Sequence, residues 1–342
     1  MHSMLINNIT DKYNRPFNYL RISVTDRCNF RCTYCMPKEI FDSSYKFLKK
    51  QDLLSFEEIV KIIKELELFG LNKIRLTGGE PLLRKNLEQL IRKIKLETNI
   101  KHLALTTNGS LLTQKKAKLL QDAGLDSVTI SLDSLSSNIN KKLNPLNDNK
   151  NVINSIYTAL DTFNFVKINI VVMKNINDSE IFRIIDKFKN TDAEIRFIEF
   201  MDVGETNGWN INKVIKSEDL IEKISKKFNI KKEPTVLDST SQKWKLLGYK
   251  SSIAFISSIS KPFCNACNRG RLSADGKFYT CLFSTNGHNL LQTIRNSQQS
   301  NALGNLFSSI WSNRLDKYSL IRNLNKDIKV NISKIEMSYI GG

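Results

Sequence analysis

No stretch of the 342 residues approaches the ~20 apolar positions that a membrane-spanning helix needs. Residues 1–8 carry neither a basic segment nor a long apolar core, so no secretory leader is expected there. The sequence reads as that of a soluble, cytoplasmic protein with no membrane partner. Histidine is scarce, with three in the chain, and cysteine is confined to six. All six fall into two triplets, Cys28, Cys32, Cys35 and Cys264, Cys267, Cys281. No thiol is left over for a disulfide framework, and clustered cysteines in a cytosolic chain point to metal or redox chemistry. Acidic residues are outnumbered, 34 against 52 Lys and Arg, for a net charge of +18. A nucleic-acid-binding face competes with lysine spread over solvated helix faces, as at 46–50 and 114–118. The second reading is favoured, and no nucleic acid is expected as a partner.

The first triplet is spaced C-x3-C-x2-C and follows a short apolar run at 19–25. A structural zinc site wants four protein ligands, yet no fourth cysteine and no histidine lies nearby. An iron–sulfur cluster also takes four thiolates as a rule. Three would leave one iron open to a small molecule. A reduced-thiol loop, or zinc completed from elsewhere, is the plainer alternative. The second triplet is C-x2-C-x13-C, with His288 as the one nearby candidate for a fourth zinc ligand.

Strand and helix alternate about six times. Strands are predicted at 20–25, 73–77, 103–107, 127–132, 166–173 and 194–201. Ser55 and Glu58 form a capping box that opens an amphipathic helix with Ile59, Ile62, Ile63, Leu66 and Phe69 on one face. This rhythm predicts a parallel sheet with right-handed crossovers, an open (βα)6 partial barrel. Its chemistry belongs at the C-terminal ends of the strands. The expected organisation is a loose arm at 1–18, the partial barrel at 19–212, and a C-terminal α+β region at 213–342 that carries the second triplet. No internal repeat beyond the βα rhythm and no strong linker is present.

Several blocks then narrow the choice. They are Leu20 to Pro37 (LRISVTDRCNFRCTYCMP), Lys73 to Arg84 (KIRLTGGEPLLR), Arg196 to Met201 (RFIEFM), Phe263 to Gly276 (FCNACNRGRLSADG), Cys281 to Phe283 and the terminal Met337 to Gly342 (MSYIGG). These resemble the radical S-adenosylmethionine enzymes and, within them, are most similar to the GTP 3′,8-cyclase family, which acts first in molybdenum cofactor biosynthesis. The likeness is weakest at 212–250. Many family members have Leu or Ala where this chain has Gly270.

The resemblance implies two [4Fe–4S] clusters, one on Cys28, Cys32 and Cys35, the other on Cys264, Cys267 and Cys281. The first would chelate S-adenosylmethionine, with Tyr34, Gly79, Ser131 and Met201 as its contacts and Glu80 nearby. The second would bind the guanine of GTP. Arg21, Arg75, Thr106, Lys167, Arg269, Gly270 and Arg271 match the family's GTP-binding positions. Arg21 and Arg75 sit in strands, where a charge is costly unless an anion or partner satisfies it. The Gly341–Gly342 tail is expected to reach the active site. The implied reaction is radical cyclisation of GTP to (8S)-3′,8-cyclo-7,8-dihydroguanosine 5′-triphosphate. Implied partners are an electron donor such as a flavodoxin or ferredoxin and the next enzyme, cyclic pyranopterin monophosphate synthase; a homodimer is compatible. Two rivals stay open: a peptide-modifying radical S-adenosylmethionine enzyme with an auxiliary cluster, and a zinc-bearing nucleic-acid-binding protein.

Overall fold

The computed structural model describes residues 8–146, 149–236, 239–296, 301–324 and 334–341. Six βα units come first: β1 (Tyr19–Ser23), α1 (Phe56–Glu67), β2 (Lys73–Thr77), α2 (Leu87–Glu97), β3 (His102–Thr107), α3 (Gln114–Asp122), β4 (Ser127–Ser131), α4 (Ser137–Leu143), α5 (Asn149–Thr162), β5 (Phe165–Val172), α6 (Ile181–Phe188), β6 (Glu194–Glu199) and α7 (Ser217–Ser225). The Ser55–Glu58 capping box forms as the sequence requires, with Ser55 Oγ accepting from the Glu58 amide at 3.1 Å and Glu58 returning an acceptor to the Ser55 amide at 2.8 Å. The apolar stripe of α1 is buried against the sheet.

The remaining elements are β7 (Ile230–Lys232), β8 (Gln242–Leu246), β9 (Ser252–Ile256), β10 (Arg269–Leu272), β11 (Lys277–Tyr279), β12 (His288–Asn289), α8 (Leu290–Asn296), α9 (Ala302–Ser312), α10 (Tyr318–Leu324) and α11 (Met337–Ile340). They do not stand apart from the barrel. Among the described residues one sheet of 12 strands runs β12-β11-β10-β1-β2-β3-β4-β5-β6-β9-β8-β7. β10 joins β1 in parallel and β9 joins β6 in parallel. The C-terminal region therefore extends both edges of the parallel sheet, which stays open between β9 and β10.

Residues 9–18 differ from the loose arm expected. Asp11, Arg15 and Phe17 are buried. The Phe17 ring lies 4.7 Å from Phe307 and 4.8 Å from Trp311 between centroids. This segment has no helical or strand periodicity to betray it; the Phe17 ring, the Arg314–Asp11 ion pair and the Arg15 bonds to Cys264 O and Asp316 O hold it down.

Strand alternation sorts the sheet's two faces. Leu20, Ile22, Ile74, Leu76 and Leu272 are buried in the core. Tyr19, Arg21, Lys73, Arg75, Arg269 and Arg271 alternate with them and line a cavity inside the curve of the sheet.

Candidate active site

The cavity is about 550 Å³. Cys264, Cys267 and Cys281 line it, as do Arg21, Arg75, Thr106, Lys167, Met201, Arg269 and Arg271. Register explains the convergence: Arg21 lies beside Arg271 on β10 and beside Arg75 on β2. Three guanidinium-bearing residues thus stand abreast. One row over, Thr106, Thr129 and Lys167 are adjacent on β3, β4 and β5.

Topology places the two triplets at opposite ends of the parallel strands, and of the two only the second lines this cavity. The first follows β1, at the C-terminal ends of the parallel strands. The second precedes β10 and follows its antiparallel partner β11, at the N-terminal ends. The sequence argument put the βα motifs at the C-terminal ends and did not see this opposition. It depends on β10 pairing with β1, a contact between positions about 250 residues apart.

The first loop is built by its own backbone. The Arg31 guanidinium donates to the carbonyls of Cys28, Phe30 and Phe41 at 2.8, 2.8 and 2.6 Å. The turn at Gly78–Glu80 packs on the loop's entry, with Gly79 N donating to Thr25 O and Glu80 N to Arg27 O, both at 2.8 Å. A Cβ on Gly79 would lie 2.3 Å from the Arg27 carbonyl oxygen. Glycine is needed here because backbone meets backbone. Glu80 is fully buried, accepting from Thr107 Oγ1 and from the Leu82 and Asn108 amides. Burial pushes its carboxyl up to about 7. It clamps the β2 and β3 turns together.

Tyr34 donates to Asp133 Oδ2 at 2.5 Å. Asp133 also accepts from the Val171 amide, and burial pushes its carboxyl up to about 6. Ser131 closes β4 beside Asn169 of β5, whose Oδ1 is buried with no hydrogen-bond partner in the protein. Asn169 and Met201 both line the cavity.

The basic residues are held in order by neutral and acidic neighbours. Arg75 donates to Tyr19 Oη at 2.7 Å, to Thr129 Oγ1 at 2.8 Å and to Thr106 Oγ1 at 3.1 Å. Burial would raise the Tyr19 phenol, but Arg75, Arg21 and Arg269 outweigh it and bring it down to about 7. Burial, then Arg196, pushes Lys167 down to about 8. Arg196 pairs with Glu194 on the same wall. Arg21 Nε donates to Gly341 O at 3.1 Å, and Arg271 Nη1 donates to the same oxygen. The tail thus reaches the basic row at Gly341; Gly342 lies outside the described residues.

Gly270 stands apart from its neighbours. It pairs with Leu20, and a Cβ there would meet the Phe278 ring at 2.6 Å. Its side faces the core, while Arg269 and Arg271 face the cavity. His288 is exposed on β12 and does not line the cavity.

The donor chemistry of both triplets fits a cluster. Each set is all thiol, and among the described residues no three Cys, His, Asp or Glu side chains close around a single-ion position. A cube of four irons places each thiolate at a separate corner, and the second triplet borders a cavity with room for it. Burial pushes Cys28 up to about 11 and Cys281 up to about 12. Cluster binding therefore releases protons from these thiols. Tyr19, Lys73, Asn169 and Arg196 were given no site role from sequence. Only the strand period at Tyr19 and Lys73, two residues from Arg21 and Arg75, could have flagged any of them.

Residues 22–188 match the radical SAM superfamily and residues 193–320 match the family described as Molybdenum Cofactor Synthesis C. A GTP 3′,8-cyclase of Staphylococcus epidermidis is 45% identical over 339 residues, 98% of this chain and 99% of that protein. One of Staphylococcus saprophyticus is 42% identical over 341 residues, 99% of this chain and 100% of that protein. Streptococcus suis SuiB, solved with S-adenosylmethionine bound, shares the fold at a TM-score of 0.62 and 14% identity, covering 96% of this chain and 73% of that one.

Proposed function

This chain belongs to the GTP 3′,8-cyclase family of radical S-adenosylmethionine enzymes, and on that premise we propose which of its residues hold each reactant. The chain converts GTP to (8S)-3′,8-cyclo-7,8-dihydroguanosine 5′-triphosphate, the first step of molybdenum cofactor biosynthesis. Cys28, Cys32 and Cys35 hold one [4Fe–4S] cluster; Cys264, Cys267 and Cys281 hold the other. When bound, the first cluster and S-adenosylmethionine would supply the radical that abstracts hydrogen at C3′ of GTP, and closing C3′ onto C8 would take one further electron from the donor and one proton from solvent to quench the ring radical.

The protein's own part is binding and orientation. Tyr34, Gly79, Ser131 and Met201 are assigned to S-adenosylmethionine, with Asp133 fixing the Tyr34 ring. The second triplet takes guanine. Arg21, Arg75, Lys167, Arg269 and Arg271 neutralise the triphosphate, with Thr106 aligning Arg75; planar guanidinium forks suit phosphate. Gly270 contributes only backbone between two of them. The Gly341 carbonyl orients Arg21 and Arg271 from the tail side. An electron donor such as a flavodoxin or ferredoxin reduces the first cluster, and cyclic pyranopterin monophosphate synthase takes the product.

The observation that carries this reading is the position of the basic row, between two cysteine triplets and inside the sheet's curve. A nucleic-acid face would put those charges outside. The SuiB likeness shows a shared fold at 14% identity and does not favour a peptide substrate.

Anaerobic reconstitution followed by iron and zinc analysis tests the proposal. About eight irons per chain are expected from two four-iron clusters. Stoichiometric zinc without iron overturns it. With S-adenosylmethionine, dithionite and GTP, 5′-deoxyadenosine formed without loss of GTP refutes the substrate while leaving the radical chemistry.

A further inference from the structure

Beneath the second triplet lies an ion-pair network that the GTP contacts do not use. Arg314 follows α9, and its side chain is 1% exposed. Its Nη1 donates to Cys267 O at 2.8 Å and its Nη2 to Cys267 Sγ at 3.4 Å. One guanidinium thus grips both the backbone and the sulfur of a single cysteine.

Arg314 has little freedom to turn elsewhere. Nε donates to Asp316 at 3.2 Å and Nη1 also reaches Asp11 at 3.4 Å. The guanidinium lies over the Trp311 ring, 4.6 Å from its centroid. Asp11 is in turn paired with Arg15 at 2.6 Å, and Arg15 donates to Cys264 O at 2.8 Å. Residues 11–15 and 314–316 therefore brace the Cys264–Cys267 turn, with Arg15, Arg314 and Asp316 at the cavity wall. Arg269 also donates to Cys267 Sγ at 3.4 Å, and both arginines line the cavity. Arg314 differs in being held at once by Asp316, Asp11 and the Cys267 carbonyl.

We propose that Arg314 is a positioning residue that, by its hydrogen bond and positive charge at Cys267 Sγ, raises the reduction potential of the cluster held by the second triplet. The inference rests on the two-cluster reading above. Hydrogen bonds and positive charge at a ligating sulfur stabilise the state with one more electron, so the potential rises with them. Arginine is suited to the task because it stays charged when buried and its fork reaches carbonyl and sulfur together.

Arg314→Gln removes the charge while keeping a planar amide. The test is a redox titration of the reconstituted protein followed by electron paramagnetic resonance. The first cluster's signal is recognised by its response to S-adenosylmethionine and the second's by its response to GTP. R314Q is expected to shift the second midpoint negative and leave the first unchanged. A variant that keeps its iron with both midpoints at wild-type values overturns the proposal. Should R314Q fail to hold the second cluster, Arg314→Lys decides, because lysine keeps the charge but cannot bond carbonyl and sulfur together. A midpoint in R314K more negative than that of the wild type supports the proposal; an unchanged midpoint overturns it. Absence of the second cluster from the wild-type protein defeats the two-cluster reading and this proposal with it. Its presence with an unshifted variant defeats the proposal alone.

Discussion

The Arg21 side chain donates to the carbonyl oxygen of Gly341 at 3.1 Å, across 320 positions of sequence. Arg271 donates to the same oxygen from the other side. The tail therefore holds two of the cations assigned to the triphosphate. Truncation after Ile340 removes that acceptor and lets both guanidinium groups wander. A small misplacement in such a site costs rate more than binding. We expect kcat for GTP cyclisation to fall by about tenfold to a hundredfold, the loss of one or two charged hydrogen bonds. GTP affinity, read by calorimetry, should stay within about threefold of wild type, since both arginines remain. Unchanged kcat would remove the tail from the active site.

Tyr19 supplies a pH-dependent signature. Its phenol sits at about 7 because Arg75, Arg21 and Arg269 outweigh the effect of burial. An acid depressed from its ordinary value of ~10 stabilises the fold fully above that value. The contribution is lost as pH falls through about 7. Near-ultraviolet titration should show one tyrosine ionising near neutrality, and Tyr19→Phe should abolish that step and flatten stability between those two pH values. A Y19F protein with the same neutral step contradicts the assignment.

Gly79→Ala places a methyl group against the Arg27 carbonyl, 2.3 Å away. Backbone has to move, and the loop it rests on carries the first triplet. Iron should fall from about eight to about four per chain, with the GTP-responsive cluster retained. Full iron in G79A would show that the turn tolerates the shift.

Asp133→Asn keeps the shape but removes the charge that Tyr34 Oη bonds at 2.5 Å. S-adenosylmethionine affinity should weaken by about tenfold or more, as for loss of a hydrogen bond to a charged group. GTP affinity should not change. Equal weakening of both ligands would mean a general collapse of the cavity.

The six βα units were legible because each is local: a 3.6-residue apolar stripe, a cap, then a buried strand. Both cysteine triplets were legible by spacing, and Arg21 and Arg75 by their charge within apolar strands. What escaped notice depends on contacts distant in sequence. β9 and β10 are short, and only pairing with β6 and β1 makes them part of the parallel sheet. Gly270 reads like its arginine neighbours until strand alternation turns it toward Phe278. Arg314 and Asp11 sit in unpatterned segments, and only the fold brings them to Cys267.

The central claim is that the first triplet makes the radical and the second holds GTP from the opposite end of the parallel strands. Cys264→Ser tests it most directly, by measuring 5′-deoxyadenosine and cyclised product together in one anaerobic assay. The account predicts that the variant still cleaves S-adenosylmethionine under dithionite, on about four irons per chain, and forms no cyclised GTP. Wild-type cyclisation by C264S would contradict it.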